Sequence, residues 1–586
     1  MAAASKSVWT TVSLHAPTGP LDTRSRPADL TAGAYRWKTN FEVTSDGKLC
    51  RRGGFDRFYS DKTGGNYDHH FQSNTREPII FLQETTGSDG TRRLFDGTQS
   101  RLSWLNESTG TWTDILTGLG APGSRWKMDI MQDIAVISNG VDAVYQHALG
   151  SGSASTIGAL IGFGVSAAKV VIQFEGFMFL MNTIQSGARH ATRVRWSDLN
   201  LPLVWDDGSA TSLAGFQDLD YGDEILAAAP LYGALYIFTR RAIWRTFITA
   251  ASTPAVNFTK VYFEPQNQKG CLVYPNTLCT DGQNFYYASR EAFYRYSPFL
   301  PAPERGDERG SAWGDWLYKA TGVIFRKADT LLTGNDCASP LAVYKPVTNE
   351  IFISWPALDN PVNNWTLAVQ AQQQTGDVID HGFTAMVNYR RTPVEGKCEE
   401  AQDLLGVSGQ DWAIKSLGGV FVREFLVLPD PTDPSVDVPA DNPIYVAEGY
   451  NSILRGMVPL GLTDRLKHIR NIVIDADVSQ QDVPAVIQLR IGNSRKLQDP
   501  NDTEDFCSVS WSNLGTRPLA CPDKQKISAL QAKGQRPDDI ISWTTYQTGI
   551  FLYFEITIQA ADGGLAIGGD ACVDRIDFDS YALPKP

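Results

Sequence analysis

The 586-residue sequence has eight cysteines, at 50, 271, 279, 337, 398, 507, 521 and 572, and no two of them form a CxxC pair. Intervals this wide and irregular exclude a zinc ribbon and a small disulfide framework. They suit reduced, buried thiols in a protein that folds in a cytosol; a bridge across a hairpin is conceivable only for Cys271 with Cys279. Long apolar runs are missing as well. The most apolar stretch, Ile157 to Val165, is nine residues broken by glycines, whereas a spanning helix needs about 20. The opening "MAAASKSVWTTVSLHAPTGP" has no apolar core of signal-peptide length. No membrane-spanning segment and no usual secretory route are therefore expected. Basic charge is in deficit: 52 Lys and Arg against 65 Asp and Glu leave a net −13. That disfavours sequence reading of nucleic acid, which needs a basic footprint. It is compatible with a conduit whose negative wall repels the phosphate backbone.

Catalytic signatures are also missing. No P-loop, GxSxG, HExxH or GxGxxG in strand–helix context occurs. The seven histidines are scattered, and His69 and His70 are adjacent, so in a strand they point to opposite faces and do not share a metal. His190 stands among Arg189, Arg193 and Arg195, which suits a basic loop contact better than a general base.

What the sequence does have is turns, aromatics and a repeat. It holds 51 Gly, 31 Pro, 15 Trp and 21 Tyr, as expected for short pleated strands with half-buried broad side chains. "ALYIFTRRAIWRTF" (Ala234 to Phe247) returns fifty residues later as "NFYYASREAFYRYS" (Asn284 to Ser297). Tyr236 matches Tyr286, Arg240 matches Arg290, Ala242 matches Ala292 and Arg245 matches Arg295. "DAVYQH" at 142–147 and, more loosely, "ATRVRWSD" at 191–198 fill the same slot, so the anchors Ala143, Val194, Ala242 and Ala292 are 51, 48 and 50 apart. Each unit carries a further strand–turn–strand upstream, which makes three to four strands per unit and no long helical period. Four short antiparallel strands at this spacing make a β-propeller blade. Similar patterns at 78–115, 340–357 and 364–382 extend the count to about six blades. The Tyr, Trp and Phe stripe is then blade core, and the arginines at 245 and 295 are intrablade tethers.

"LPDPTDPSVDVPADNP" (Leu428 to Pro443), with five prolines and four aspartates, marks a solvated linker and a boundary, without EF-hand spacing. Beyond it, "HIRNIVIDADV", "AVIQLRIGNS" and "GIFLYFEITIQA" alternate as half-buried strands do, with one short helix at 524–534. The organisation expected is all-β: an N-terminal arm with first strands at 1–75, a β-propeller at 76–430, the linker at 431–443 and a β-sandwich-like domain at 444–586. The N-terminal segment is an arm or completes a sheet with the C-terminus. A propeller glycosidase would need two converging carboxylates. Asp206 with Asp207, Asp220 with Asp223 and Glu224, and Glu399 with Glu400 are the pairs available, all in turn-like sequence. The sialidase box is absent, and "NESTGTW" at 106–112 resembles only its end. Asp574, Asp577 and Asp579 lack the glycine-rich support of a metal loop. No catalytic residue, cofactor-binding residue or metal ligand is assigned, no cofactor is expected, and the chain is expected not to be an enzyme.

Three segments in succession carry a resemblance: "AAKVVIQFEGFMFLMNT", "RVRWSDLNLPLVWDDG" and "GDEILAAAPLYGALYIFTRRAIWR". The middle one holds Arg195, Trp196, Ser197, Leu199, Pro202 and Trp205, and an earlier turn holds Asp46, Gly47, Leu49, Arg52 and Gly54. Over roughly 40–300 this order resembles the propeller-bearing tail nozzle, tail tube and tail-stabilisation proteins of short-tailed bacteriophages. The resemblance implies a structural virion protein of the tail, assembled in the host cytoplasm. Its members form rings, commonly hexamers, below the portal and adaptor, and extend and close the channel for genomic DNA. Its partners are then its own copies, the tail adaptor, and tail fibres or spikes. The alternative is a propeller glycosidase or lectin acting on bacterial surface glycan.

Overall fold

The computed structural model describes residues 80–305 apart from 99, 107–110, 120–124, 221–222, 250–254, 265–269 and 290–292. It also describes strands and their margins at 10–15, 37–39, 41–43, 49–51, 55–57, 340–345, 349–355, 365–370, 375–379, 385–389, 392–399, 417–423, 452–457, 467–480, 485–494, 510–519, 538–549, 551–560 and 570–582. His69, His70, Arg290, Glu400, the linker and the 524–534 helix lie outside the described residues.

Among the described residues, seven antiparallel blades of four strands follow one another: 81–116, 127–156, 165–218, 225–263, 279–305, 341–379, and 385–423 completed by 55–57. The innermost, first strands of blades 1 to 4 lie side by side in order, as do those of blades 5, 6 and 7; the 3₁₀ turn Pro275–Thr277 fills in between blades 4 and 6, and blade 7 meets blade 1. The chain is a β-propeller. The described repeat anchors fall in or just before third strands, and Ala292 lies outside the described residues. Val194 and Ala242 lie in the third strands of blades 3 and 4, and Ala143 lies two residues before that of blade 2. The two hairpins that match in sequence also match in register: Tyr236 faces Arg245, and Tyr286 faces Arg295. The seventh blade exceeds the count of about six because its fourth strand, Phe55–Arg57, arrives from more than 350 residues away to pair with Leu417–Arg423.

Local sequence explains the blades. Two-residue hairpins join the first and second strands of blades 2, 3 and 4, at Gln132–Asp133 (φ 52° and 61°), Glu175–Gly176 (48° and 78°) and Tyr232–Gly233 (50° and 67°). Two consecutive left-handed residues twist the turn in the same sense as the strands. Successive blades then bury their faces against each other. Phe81, Phe95, Trp126 and Ile137 fill the space between blades 1 and 2. Phe177, Phe179, Trp196, Ile237 and Trp244 do so between blades 3 and 4. Between blades 4 and 5 the core is aromatic, with Phe238 5.3 Å from Phe285 and from Tyr287, edge to face. The aromatic stripe is blade core, as its spacing implied.

The remaining strands form two sheets around one core. Ile472, Ile474, Trp543, Ile576 and Phe578 of one sheet meet Ile487, Leu489, Phe554, Ile556 and Ile558 of the other. The second of these sheets is continuous with blade 6 through Trp37–Thr39, which pairs in parallel with Thr375–Ile379 and antiparallel with Ser452–Met457. The N-terminal strands are thus divided: Phe55–Arg57 closes the ring, while the others join the sandwich.

Candidate functional site

Among the described residues, a charged seam runs across blades 2, 3 and 4. Glu224 sits one residue before the first strand of blade 4. Its carboxylate accepts hydrogen bonds from Lys169, from Arg240 Nε (3.0 Å) and Nη2 (2.8 Å), and from Asn182 Nδ2 (3.2 Å). Burial acts to raise the Glu224 pKa, but the bonds from Lys169 and Arg240 outweigh it and hold it at about 2. Asn182 carries the link onward: its Oδ1 accepts Arg189 Nη1 at 3.0 Å, and Arg189 Nη2 reaches the Gly140 carbonyl of blade 2 at 2.8 Å. Beside it, buried Asp223 accepts Arg241 Nε at 2.7 Å. The turn arginines 240 and 241, for which a solvated turn was the expectation, are both paired with acids.

The other candidate groups disperse. Asp207 is held by Arg195 Nη2 at 3.2 Å, and Arg195 Nη1 bonds the Trp205 carbonyl at 3.3 Å. That guanidinium is 2% exposed and lies over Phe163 and Phe216 at 5.3 and 5.2 Å. Arg193 grips Asp218 through two bonds of 2.8 Å. His190, expected to make a basic loop contact among Arg189, Arg193 and Arg195, lies with them in the strand Ala188–Trp196, where it faces Thr183 across the hairpin, and the three arginines go to separate partners. Asp206 accepts the Gly208 amide and closes a turn. Arg295 bonds Glu304 on the adjacent strand of its own blade, as a tether should. Its counterpart Arg245 does something else: its guanidinium lies 4.5 Å above the Phe247 ring. Cys271 and Cys279 are free thiols, with burial the leading cause that raises both and takes Cys271 to about 12.

Two features escaped the sequence reading. In the first, Lys127 on the innermost strand of blade 2 donates to Asn276 Oδ1 at 3.2 Å, in the 3₁₀ turn Pro275–Thr277 that leads into blade 5. The bond spans the interior between non-adjacent blades. Enclosure, with Arg125 nearby, pushes the Lys127 ammonium down to about 8. The second is an exposed aromatic pair. Tyr232, in the left-handed turn of blade 4, lies 5.0 Å from Phe299, which follows the third strand of blade 5 and is 77% exposed. Only the Tyr-Gly turn hinted at it.

No protein-family model matches the sequence, and no curated protein sequence matches it either. Among solved structures, the chain is similar to BamB from Moraxella catarrhalis, with a TM-score of 0.34 and 11% identity over 72% of this chain and 99% of that one. It is similar to the WD40 domain of Neurospora crassa Pan2, at 0.33 and 8% over 64% and 95%. The computationally designed Ika8 protein gives 0.31 and 9% over 60% and 97%. No helix among the described residues is long and apolar enough to cross a membrane.

Proposed function

We propose that this chain is a structural virion protein of a short-tailed bacteriophage, forming the ring-shaped tail nozzle that extends and closes the DNA channel below portal and adaptor. The observation that carries the reading is the order of the three resembling segments, which is also an order of structural parts. The first is the opening hairpin of blade 3. The second ends that blade's third strand and forms the loop pinned by Arg195, Trp205 and Asp207. The third gives the first three strands of blade 4. The net charge of −13 supports it too, since DNA slides more freely past a wall that repels phosphate. In this reading the charged seam holds the ring of blades rigid and carries no chemistry, and the partners are further copies, the adaptor, and fibres or spikes. Antibody labelling and imaging of the particle that carries the chain tests it. Label at the tail tip, in a closed ring, is the expected result; a particle without the chain in its tail overturns it.

The glycan-binding alternative draws on one observation, the exposed Tyr232–Phe299 pair, because flat exposed rings stack on sugar faces. The candidate acids lend it little, as Asp207, Asp223 and Glu224 are each taken up by a cation. A glycan array probed with the protein and with Phe299→Ala separates the two readings. Binding that is lost in the variant favours the lectin.

A further inference from the structure

The sandwich sheet that contains the chain's last strand distributes charge against the usual rule. Four of its six strands lie in the order Thr10–His15, Asp570–Ala582, Lys467–Gln480, Asp538–Gly549, each antiparallel to the next; the short hairpin of Phe41–Val43 and Leu49–Arg51 pairs with Asp570–Ala582 on the same side as Thr10–His15, through Cys572 and Val573. Sheets ordinarily put charge and proline on their edges, to repel unwanted strands. Here the interior strands are the charged ones, with Lys467, Arg470, Asp475 and Asp477 on one and Asp570, Asp574, Arg575, Asp577 and Asp579 on the other. The edges are bare. "TTVSLH" has no acid, lysine or arginine, and "DDIISWTTYQTG" has none after its first two residues. Neither contains proline. The facing sheet of the same sandwich shows the ordinary arrangement: its edge strand Ser510–Leu519 has Arg517, Pro518 and a left-handed Gly515 (φ 92°). Among the described residues, neither bare edge has a strand on its outer side along its length.

We propose that copies of this chain join head to tail by strand addition, with residues 540–547 of one copy pairing against Thr10–His15 of the next and stopping short of the place that Phe41–Val43 fills. The inference rests on the ring reading above and assigns it an interface. Three observations select this occupant. The path from Thr10–His15 to Asp538–Gly549 has four antiparallel strands, so these two strands run in opposite directions, and one can add to the other in the next copy with the antiparallel pattern unbroken. The two edges differ, which makes the contact heterologous, the kind that closes into rings. The register also matches across the sheet. Thr11, Asp579, Asn471 and Thr544 form one row, and Val12, Phe578, Ile472 and Trp543 the next. Ser13 shares a row with Ser542, and Leu14 with Ile541. Where the rows run level into the next copy, these row-mates are the positions that meet: Thr11 at Thr544, Val12 at Trp543, Ser13 at Ser542 and Leu14 at Ile541. Two-fold pairing of Asp538–Gly549 with itself would leave the other bare edge open.

A photoreactive benzoylphenylalanine in place of exposed Thr544, in a mixture of isotopically heavy and light full-length chains, tests the pairing directly. Crosslinked heavy–light peptides joining 544 to 10–15 are expected. Crosslinks to 538–549 of the other copy, or none in an assembled ring, overturn it. In parallel, Thr544→Lys blunts the edge at an exposed position. It is expected to weaken association at least tenfold by sedimentation while the circular dichroism spectrum is unchanged. If the variant still forms rings as the wild type does, strand addition fails and the ring reading stands. If the wild type forms no closed ring at any concentration, both fail.

Discussion

Lys127 shows how one residue can matter to a ring that encloses it. Its partner is a neutral amide oxygen on Asn276, and the nearest named charge acting on it is the like charge of Arg125. The folded state therefore holds the ammonium less firmly than the unfolded chain does. With a folded pKa of about 8 against about 10.4 unfolded, the unfolded chain binds more protons between these values, so stability rises with pH across that window. Lys127→Met should remove the slope. It should also stabilise the protein at pH 7 by on the order of 2 kcal/mol, given about 1.4 kcal/mol per pKa unit and the loss of the bond to Asn276. Denaturant unfolding at pH 7 and pH 10 checks this; a variant less stable than wild type at pH 7 contradicts it. The matched arginines make a second residue-scale contrast. Arg295 ends on a carboxylate, while Arg245 ends on a ring face, so the charge of Arg295 is the more salt-sensitive contribution.

At the scale of elements, the repeated hairpin was legible in the sequence because its period is local. Two strands and the turn between them lie within fifteen residues, and the match of Tyr236 and Arg245 to Tyr286 and Arg295 fixes register as well as position. The seam between blades was only half legible. Glu224 was visible as an acid in turn-like sequence, but Lys169, Asn182 and Arg240 come to it from 55, 42 and 16 residues away. No local pattern encodes such a meeting, and an acid pair in a turn reads the same whether it is solvated, catalytic or bridging. Because the Glu224 pKa is lowered in the fold, its stabilising contribution is present above the unfolded value near 4.3. It is lost as pH falls toward about 2. Glu224→Gln should cost roughly 2 kcal/mol at neutral pH, the range expected for a half-buried charge-assisted network. Acid titration of the variant should also lack the loss between those values. An unchanged acid profile would show that the seam contributes nothing to stability.

At the scale of the whole molecule, the chain's N-terminal segment stitches the two halves together, and this was the least legible feature. Short strands such as Phe55–Arg57 and Trp37–Thr39 have three residues each, too few for any periodicity to register, and their partners lie hundreds of residues downstream. Ring closure of this kind makes the last blade depend on the first residues, so the two ends fold as one unit. Truncation separates the contributions. Removing residues 1–35 takes away only the sandwich edge strand Thr10–His15 among the described strands, and leaves blade 7 complete. Removing 1–57 also takes Trp37–Thr39, the hairpin of Phe41–Val43 and Leu49–Arg51, and Phe55–Arg57, and bares Leu417–Arg423, so removal of 1–52 is the control that leaves only Phe55–Arg57 in place. Calorimetry of the first truncation should show the propeller transition unmoved. The second should lower it by several degrees, since each kcal/mol shifts the midpoint by about 2–4 °C in domains of 150–250 residues. Limited proteolysis should then cut near 417–423 only in the longer truncation. Equal behaviour of the two truncations would mean that blade 7 holds together without its fourth strand, and that the N-terminal strands serve the sandwich alone.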